Sequence, residues 1–239
     1  MNEWFQGLIE AFRLNFIVSD RWHYLLNGLG VTVSVTLVAL LIGLVGGMLL
    51  ALSRVAYRDL QPSWKTPRGF ILHIAYRFAR LYITVVRGTP STVQLLIMFN
   101  IVLINIDNLM LVAMLTFGLN SAAYMSEIFR GGIQAVSIGE KEAARSLGLN
   151  YLQMMKNVVM PQALKNSLPA LGNEVITLFK ETSICGFIGL ADLTRGAGII
   201  ISQTFQAIPP YMAVALIYLA VVLLLEQLFR KLEKGGSHA

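Results

Sequence analysis

Residues 25–52 carry no charged side chain. As a helix rising 1.5 Å per residue, this run is about 42 Å long, against roughly 30 Å for the hydrocarbon core of a bilayer. A chain with such a segment either buries it inside a very large core or puts it across a membrane. Composition decides the matter. Of the 239 residues, 56% are hydrophobic and 13% charged, with a mean hydropathy of +0.65. Soluble domains have about 25% charged residues. The chain is therefore expected to be all-α and polytopic.

Further spans are expected at residues 69–105, 109–125, 163–190 and 211–225, making about five. The second is bent at Pro90, because the clean apolar stretch 91–105 is too short to cross alone. Gly43, Gly46 and Gly47 mark a face of the first span where another helix can approach closely. Residues 1–20 form an amphipathic segment, with Trp4, Phe5, Leu8, Ile9, Phe12 and Phe16 at helical spacing. Its readings are a helix lying in the outer interface and a solvated helix packed on its neighbours. Residues 21–232 form the transmembrane domain and 233–239 a short tail.

Lysine and arginine placement orients the chain. Arg54, Arg58, Lys65 and Arg68 fall in the first linker. Arg130, Lys141, Arg145, Lys156 and Lys165 lie between the third and fourth spans, and Arg230, Lys231 and Lys234 in the tail. The opposite side holds Arg13, Arg21 and Arg195, so the balance is twelve to three, with Arg77, Arg80, Arg87 and Lys180 assigned to neither side. The basic side faces the cytoplasm, which puts the N-terminus outside and the C-terminus inside. The net charge of +6 forms no stripe that nucleic acid would need. One cysteine, Cys185, leaves no internal disulfide. His23, His73 and His238 lack metal-ligand spacing, and no nucleophile lies beside a base.

The long cytoplasmic segment, residues 134–161, reads as two short helices around a turn at Gly148-Leu149-Asn150. Ala143 and Ala144 give the first helix a small-residue surface. Leu152, Met155, Val158 and Val159 form the apolar side of the second, which Pro161 ends before the fourth span. Such a hairpin suits a soluble partner, and an ordinary interspan loop is the plainer reading. The spacing resembles the coupling-loop motif of bacterial ABC importer permeases: Glu142, Ala143, Ala144, then Gly148, then Val158, Met160 and Pro161.

Other segments are similar to the polar amino acid branch, the histidine/glutamine/arginine/cystine type. They are Arg87-Gly88-Thr89-Pro90 with Val93-Gln94-Leu95, Asn120-Ser121-Ala122-Ala123-Tyr124, Ser126-Glu127-Ile128, Arg130-Gly131-Gly132-Ile133 and Lys180-Glu181-Thr182-Ser183. The chain departs from the branch pattern at Glu140, Ser91-Thr92 and the longer acid Glu181. The resemblance implies a type I importer in the bacterial cytoplasmic membrane. It would comprise two permease subunits, alike or related, two ABC ATPase subunits under the coupling loops, and an extracytoplasmic amino-acid-binding protein. It implies no cofactor on this chain, ATP and magnesium being used by the partner ATPase. The absence of any Gly-Lys-Ser/Thr agrees, since no P-loop holds a nucleotide here.

Polar groups within spans are costly and face a pathway or a partner. The candidates for a substrate pathway are Arg87, Gln94, Asn120, Tyr124, Glu127, Thr177, Lys180 and Glu181. Asn120, Tyr124 and Glu127 share a face at i, i+4 and i+7, although an intrahelical pair with Arg130 is the plainer role for Glu127. Asn173, Thr177, Lys180, Glu181 and Ile184 lie along one side of the fourth span. Lys180 and Glu181 together match the two charges of an α-amino acid, and subunit pairing is their alternative use. A gradient-driven secondary transporter or channel subunit is the rival function.

Overall fold

The computed structural model describes residues 2–236, with side chains from 5 to 233. The side chains of Trp4 and Lys234, and His238 as a whole, lie outside the described residues. Among the described residues there is helix and no strand. The helices are α1 (Asn2–Phe12), α2 (Trp22–Leu60), α3 (Pro67–Arg87), α4 (Ser91–Ile97), α5 (Leu109–Gln134), α6 (Ile138–Ser146), α7 (Tyr151–Met154), α8 (Met160–Glu181), α9 (Leu193–Thr204) and α10 (Ile208–Gly236).

Four of these, α2, α3, α5 and α10, are each long and apolar enough to cross a membrane, and the stretch from Tyr151 onward brings the number to five. The count agrees with the sequence, but several boundaries do not. Helix α2 does not stop at residue 52. It runs to Leu60, so Arg54 and Arg58 stand on a helix and not in a linker. A break at 88–90 separates α3 from α4, as Pro90 predicts, yet α3 alone has the length and composition of a span. The seven-residue α4 continues into a π turn, Met98–Val102.

Pro161 does not end the second coupling helix. The chain runs helically from Tyr151 through a π turn, Met155–Val159, into α8. A proline removes one backbone donor and its ring crowds the carbonyl four residues back. Opening the ladder by one residue immediately before Pro161 accommodates both effects, and such π turns are a recognised cause of local helix distortion. The fourth span also changes character. Its α-helix ends at Glu181, and Thr182–Ile188 form a 3-10 helix closed by Gly189 at φ +84°. Helix α9, which follows, has no counterpart in the sequence reading.

The residues form two compact units. The first comprises 1–38, 91–117 and 177–224. Phe16, Leu25, Leu193, Ala197, Ile200 and Val214 form its buried cluster. Asp192 caps α9 through the backbone N–H groups of Thr194 and Arg195, which donate to its carboxylate at 3.2 Å. The α1 segment is tied down by fully buried Asn15. Its Nδ2 donates to Gln206 Oε1 at 2.6 Å, and its Oδ1 accepts from Thr204 at 2.9 Å. Phe5, Leu8, Ile9 and Phe12 are exposed on α1, as an amphipathic helix requires, whereas Phe16 is buried beyond its end.

The second unit comprises 39–90, 118–176 and 225–239. Here α2 and α5 meet through small residues. A Cβ on Gly43 would lie 2.8 Å from Ser121 Oγ, one on Gly46 3.1 Å from Ala122 Cβ, and one on Gly47 2.7 Å from Met125 Cβ. The expected glycine face is therefore used, because only hydrogen side chains permit this separation. Leu41, Val45 and Leu49, on the other side of α2, are exposed at i, i+4 and i+8, the pattern of a helix facing lipid or a partner.

Candidate functional site

Residues 134–161 build a compact hairpin in the second unit. Its core is Ile133, Val136, Ala144, Met154, Met155 and Val159, packed with Val55 and Ala163. Ala144 is buried there while Ala143, the next position round α6, is exposed. Gly148 adopts φ +80°, a conformation that L-residues with a Cβ resist, and it reverses the chain after α6. Asn150 then starts α7 with a capping box. Gln153 N–H donates to Asn150 Oδ1, and Asn150 N–H to Gln153 Oε1, each at 3.0 Å. Gln162 Nε2 donates to the Glu140 carboxylate, tying α6 to the start of α8. Tyr151 donates its hydroxyl proton to Asp59 at 3.4 Å, which fastens the hairpin to the end of α2.

Against this fixed base, Ile138, Leu147 and Leu152 are 72%, 83% and 76% exposed, respectively. Leu152 does not join the apolar side of α7 as the periodicity suggests. Met154 takes the buried position on α7 instead, while Met155 and Val159 are buried as the periodicity suggests. Glu142 is exposed on the same hairpin. The result is a polar helix pair presenting three large apolar side chains to solvent.

A groove of about 550 Å³ opens in the same unit, lined by residues that include Arg54, Arg80, Arg87, Tyr124 and Glu127. Three of the expected pathway residues meet here. The Arg87 guanidinium lies 5.3 Å from the centre of the Tyr124 ring, a cation–π distance. Glu127 accepts from Arg130 at 2.9 and 2.5 Å, the intrahelical pair that its spacing predicts. It also binds Arg54 across helices, a partner the sequence did not suggest because Arg54 was expected in a loop. Asn120 shares their helical face but is buried and absent from the groove's wall. Beside it in the chain, Ser121 Oγ donates to Glu174 Oε1 at 3.0 Å, an acid that the sequence reading passed over.

The remaining candidates belong to the first unit. Gln94 is half-buried on α4, and Thr177, Lys180 and Glu181 occupy the last turn of α8. Thr177 and Lys180 are exposed while Glu181 and Ile184 are half-buried. Among the described residues, no hydrogen bond or ion pair joins Lys180 to Glu181. The proposed side of the fourth span therefore divides at its end, where the α-helix gives way to 3-10 turns.

Several helices long and apolar enough to cross a membrane, with a helical hairpin between two of them, define a polytopic membrane protein. Residues 70–236 match the family described as binding-protein-dependent transport system inner membrane component. The chain belongs to that family. The arginine transport system permease protein ArtQ of Bacillus subtilis (strain 168) is 38% identical over 215 residues, 88% of this chain and 91% of that protein. The L-cystine transport system permease protein TcyL of the same organism is 35% identical over 234 residues, 94% and 92% of the two chains. A solved amino acid ABC transporter with histidines superposes with a TM-score of 0.78 at 38% identity, over 92% of this chain and 97% of the other. An inward-facing structure of the MetNI methionine ABC transporter, 19% identical, shares the fold with a TM-score of 0.72 over 90% and 97%.

Proposed function

We propose that this chain is the permease subunit of an ATP-driven importer of polar amino acids. The observation that carries the reading is the exposed apolar trio Ile138, Leu147 and Leu152 on a hairpin held rigid by its own core. Large apolar groups fixed on an otherwise polar surface mark a protein contact. The partner is an ATPase subunit, since this chain contains no phosphate-binding loop and energy must come from another. Glu142, Ala143, Ala144, Gly148 and Pro161 are the coupling residues. Gly148 sets the turn, and Pro161 sets the π turn through which α7 continues as α8, a direct mechanical path from the hairpin to the membrane.

A second permease subunit completes the pathway, and an extracytoplasmic binding protein delivers the substrate. The basic balance supports an external N-terminus and a cytoplasmic C-terminus in a bacterial inner membrane. Polar amino acids are the cargo class, as the names of ArtQ and TcyL say of those relatives. Arg87, Gln94, Asn120, Tyr124, Glu127, Thr177, Lys180 and Glu181 remain the pathway candidates. Lys180 and Glu181 are the pair best suited to a zwitterion. Glu127 is the weakest of the eight, its carboxylate being occupied by two arginines. ATP and magnesium act on the partner and not on this chain. Leu147→Asp tests the docking surface: it should leave the chain in the membrane and abolish co-purification of the ATPase. Retained ATPase with full transport would remove the trio's role.

A further inference from the structure

We propose that α3 and the end of α2 form a binding site for the headgroup of an anionic phospholipid. A cavity of about 600 Å³ lies between these helices in the second unit, with Tyr57, Trp64, His73, Arg77 and Arg80 in its wall. Its lining includes an aromatic cluster. Tyr57 and Tyr76 stack at 4.1 Å, Trp64 lies on His73 at 3.5 Å, and Arg77 sits 5.5 Å from the Trp64 ring centre. Tyr57 Oη and His73 Nε2 are hydrogen-bonded at 2.7 Å. His73 is only 6% exposed, and its Nδ1 has no hydrogen-bond partner among the described residues.

Charge defines the occupant. Among the described residues, no acidic side chain lines this cavity. It adjoins the groove of Arg54, Arg87 and Glu127 through shared Arg80 and Thr84, and the carboxylate there is already paired with Arg54 and Arg130. Arg77 and Arg80 are exposed, and among the described residues neither is ion-paired with an acid. Two guanidinium forks suit a phosphodiester, which accepts planar bidentate hydrogen bonds. Ile74, Phe78 and Leu81 are exposed on the same helix and give acyl chains an apolar path beside the arginines. Trp64, half exposed in the turn between α2 and α3, has the amphipathic character found at the bilayer interface. Basic pockets between helices at a membrane surface recognise anionic headgroups in this way.

The test is native mass spectrometry of the full-length chain in detergent with added phosphatidylglycerol or phosphatidylcholine. Arg77→Gln with Arg80→Gln should reduce phosphatidylglycerol adducts by about tenfold. Arg77→Lys with Arg80→Lys, which keeps the charge, should retain most of them. Lys156→Gln with Lys165→Gln, an equal loss of charge elsewhere, should leave them at the wild-type level, and phosphatidylcholine should bind weakly throughout. Equal adducts on wild type and the Gln pair would overturn the proposal, as would equal losses in the Gln pair and the control pair. Displacement of the lipid by millimolar inorganic phosphate would assign the pocket to a free anion instead. Dissociation of a dimer in the Gln pair, with lipid binding intact, would assign it to a second copy of the chain.

Discussion

The carboxylate of Glu127 on α5 is ion-paired with the guanidinium of Arg54 on α2, 73 residues earlier in the chain. Both side chains are about four-fifths buried, at 18% and 20% exposure, and Arg130 holds the second carboxylate oxygen. Two cations share one anion, so the three side chains form a network and not an isolated surface pair. Partial burial makes removal of the shared member costlier than removal of either arginine.

Glu127→Gln should therefore lower the melting temperature in detergent more than Arg54→Gln does. In a double-mutant cycle the Arg54 and Glu127 substitutions should couple by about 1–2 kcal/mol. Additive effects would show that the pair contributes nothing beyond its separate groups.

Gly148→Val should uncouple. Nothing lies within 4 Å of a Cβ built at Gly148, so the variant meets no steric clash and only the backbone at φ +80° is strained. The protein should insert and assemble while ATP hydrolysis loses its dependence on substrate. Substrate-stimulated ATPase activity at the wild-type level would show that the turn tolerates a β-branched residue and that coupling does not depend on it.

The glycines of α2 should respond in opposite ways. Gly47→Ala places a carbon 2.9 Å from the backbone nitrogen of Ser126 and should lower stability by about 1–3 kcal/mol. Gly30→Ala meets nothing within 4 Å and should be neutral or stabilising by a few tenths, since alanine favours helix. Thermal melts of the two variants check the contrast, and equal destabilisation would deny close packing of α2 on α5.

Topology can be read with a thiol. Cys185 is fully buried, which makes a background lacking it a precaution more than a necessity. Ala207→Cys, exposed between α9 and α10, should react with an impermeant maleimide in intact cells. A cysteine in place of Lys165 should react only after lysis. The reverse labelling pattern would invert the chain and detach the hairpin from the ATPase's side.

The sequence conveyed the number of spans because a bilayer demands long uncharged runs, and residues 25–52 satisfy that demand without reference to any neighbour. It also conveyed the glycine face of α2, since three glycines within five residues of a span have few other uses. Helix ends were less legible. Arg54 and Arg58 end a hydropathic run without ending a helix, because the backbone ladder continues wherever charged side chains reach water or a partner. Pro161 was misleading for a related reason: it disfavours one hydrogen bond, and a π turn absorbs that loss. The Arg54–Glu127 pair depends on contact between distant segments, which no local pattern records. Among pathway candidates, shared helical phase placed Tyr124 and Glu127 in one groove but did not foresee the burial of Asn120.

Glu181→Gln examines the fourth-span candidates. With the cavity role it should assemble and hydrolyse ATP normally, while its preference between cationic and neutral amino acids shifts. A uniform loss for all substrates, together with reduced yield of the complex, would give Glu181 a structural role.

Uptake by the reconstituted complex tests the central claim most directly. Proteoliposomes holding this chain with its ATPase should accumulate a radiolabelled polar amino acid only when ATP is supplied on the hairpin's side and a loaded binding protein on the other. Accumulation driven by an ion gradient, by this chain alone and without ATP, would contradict the account.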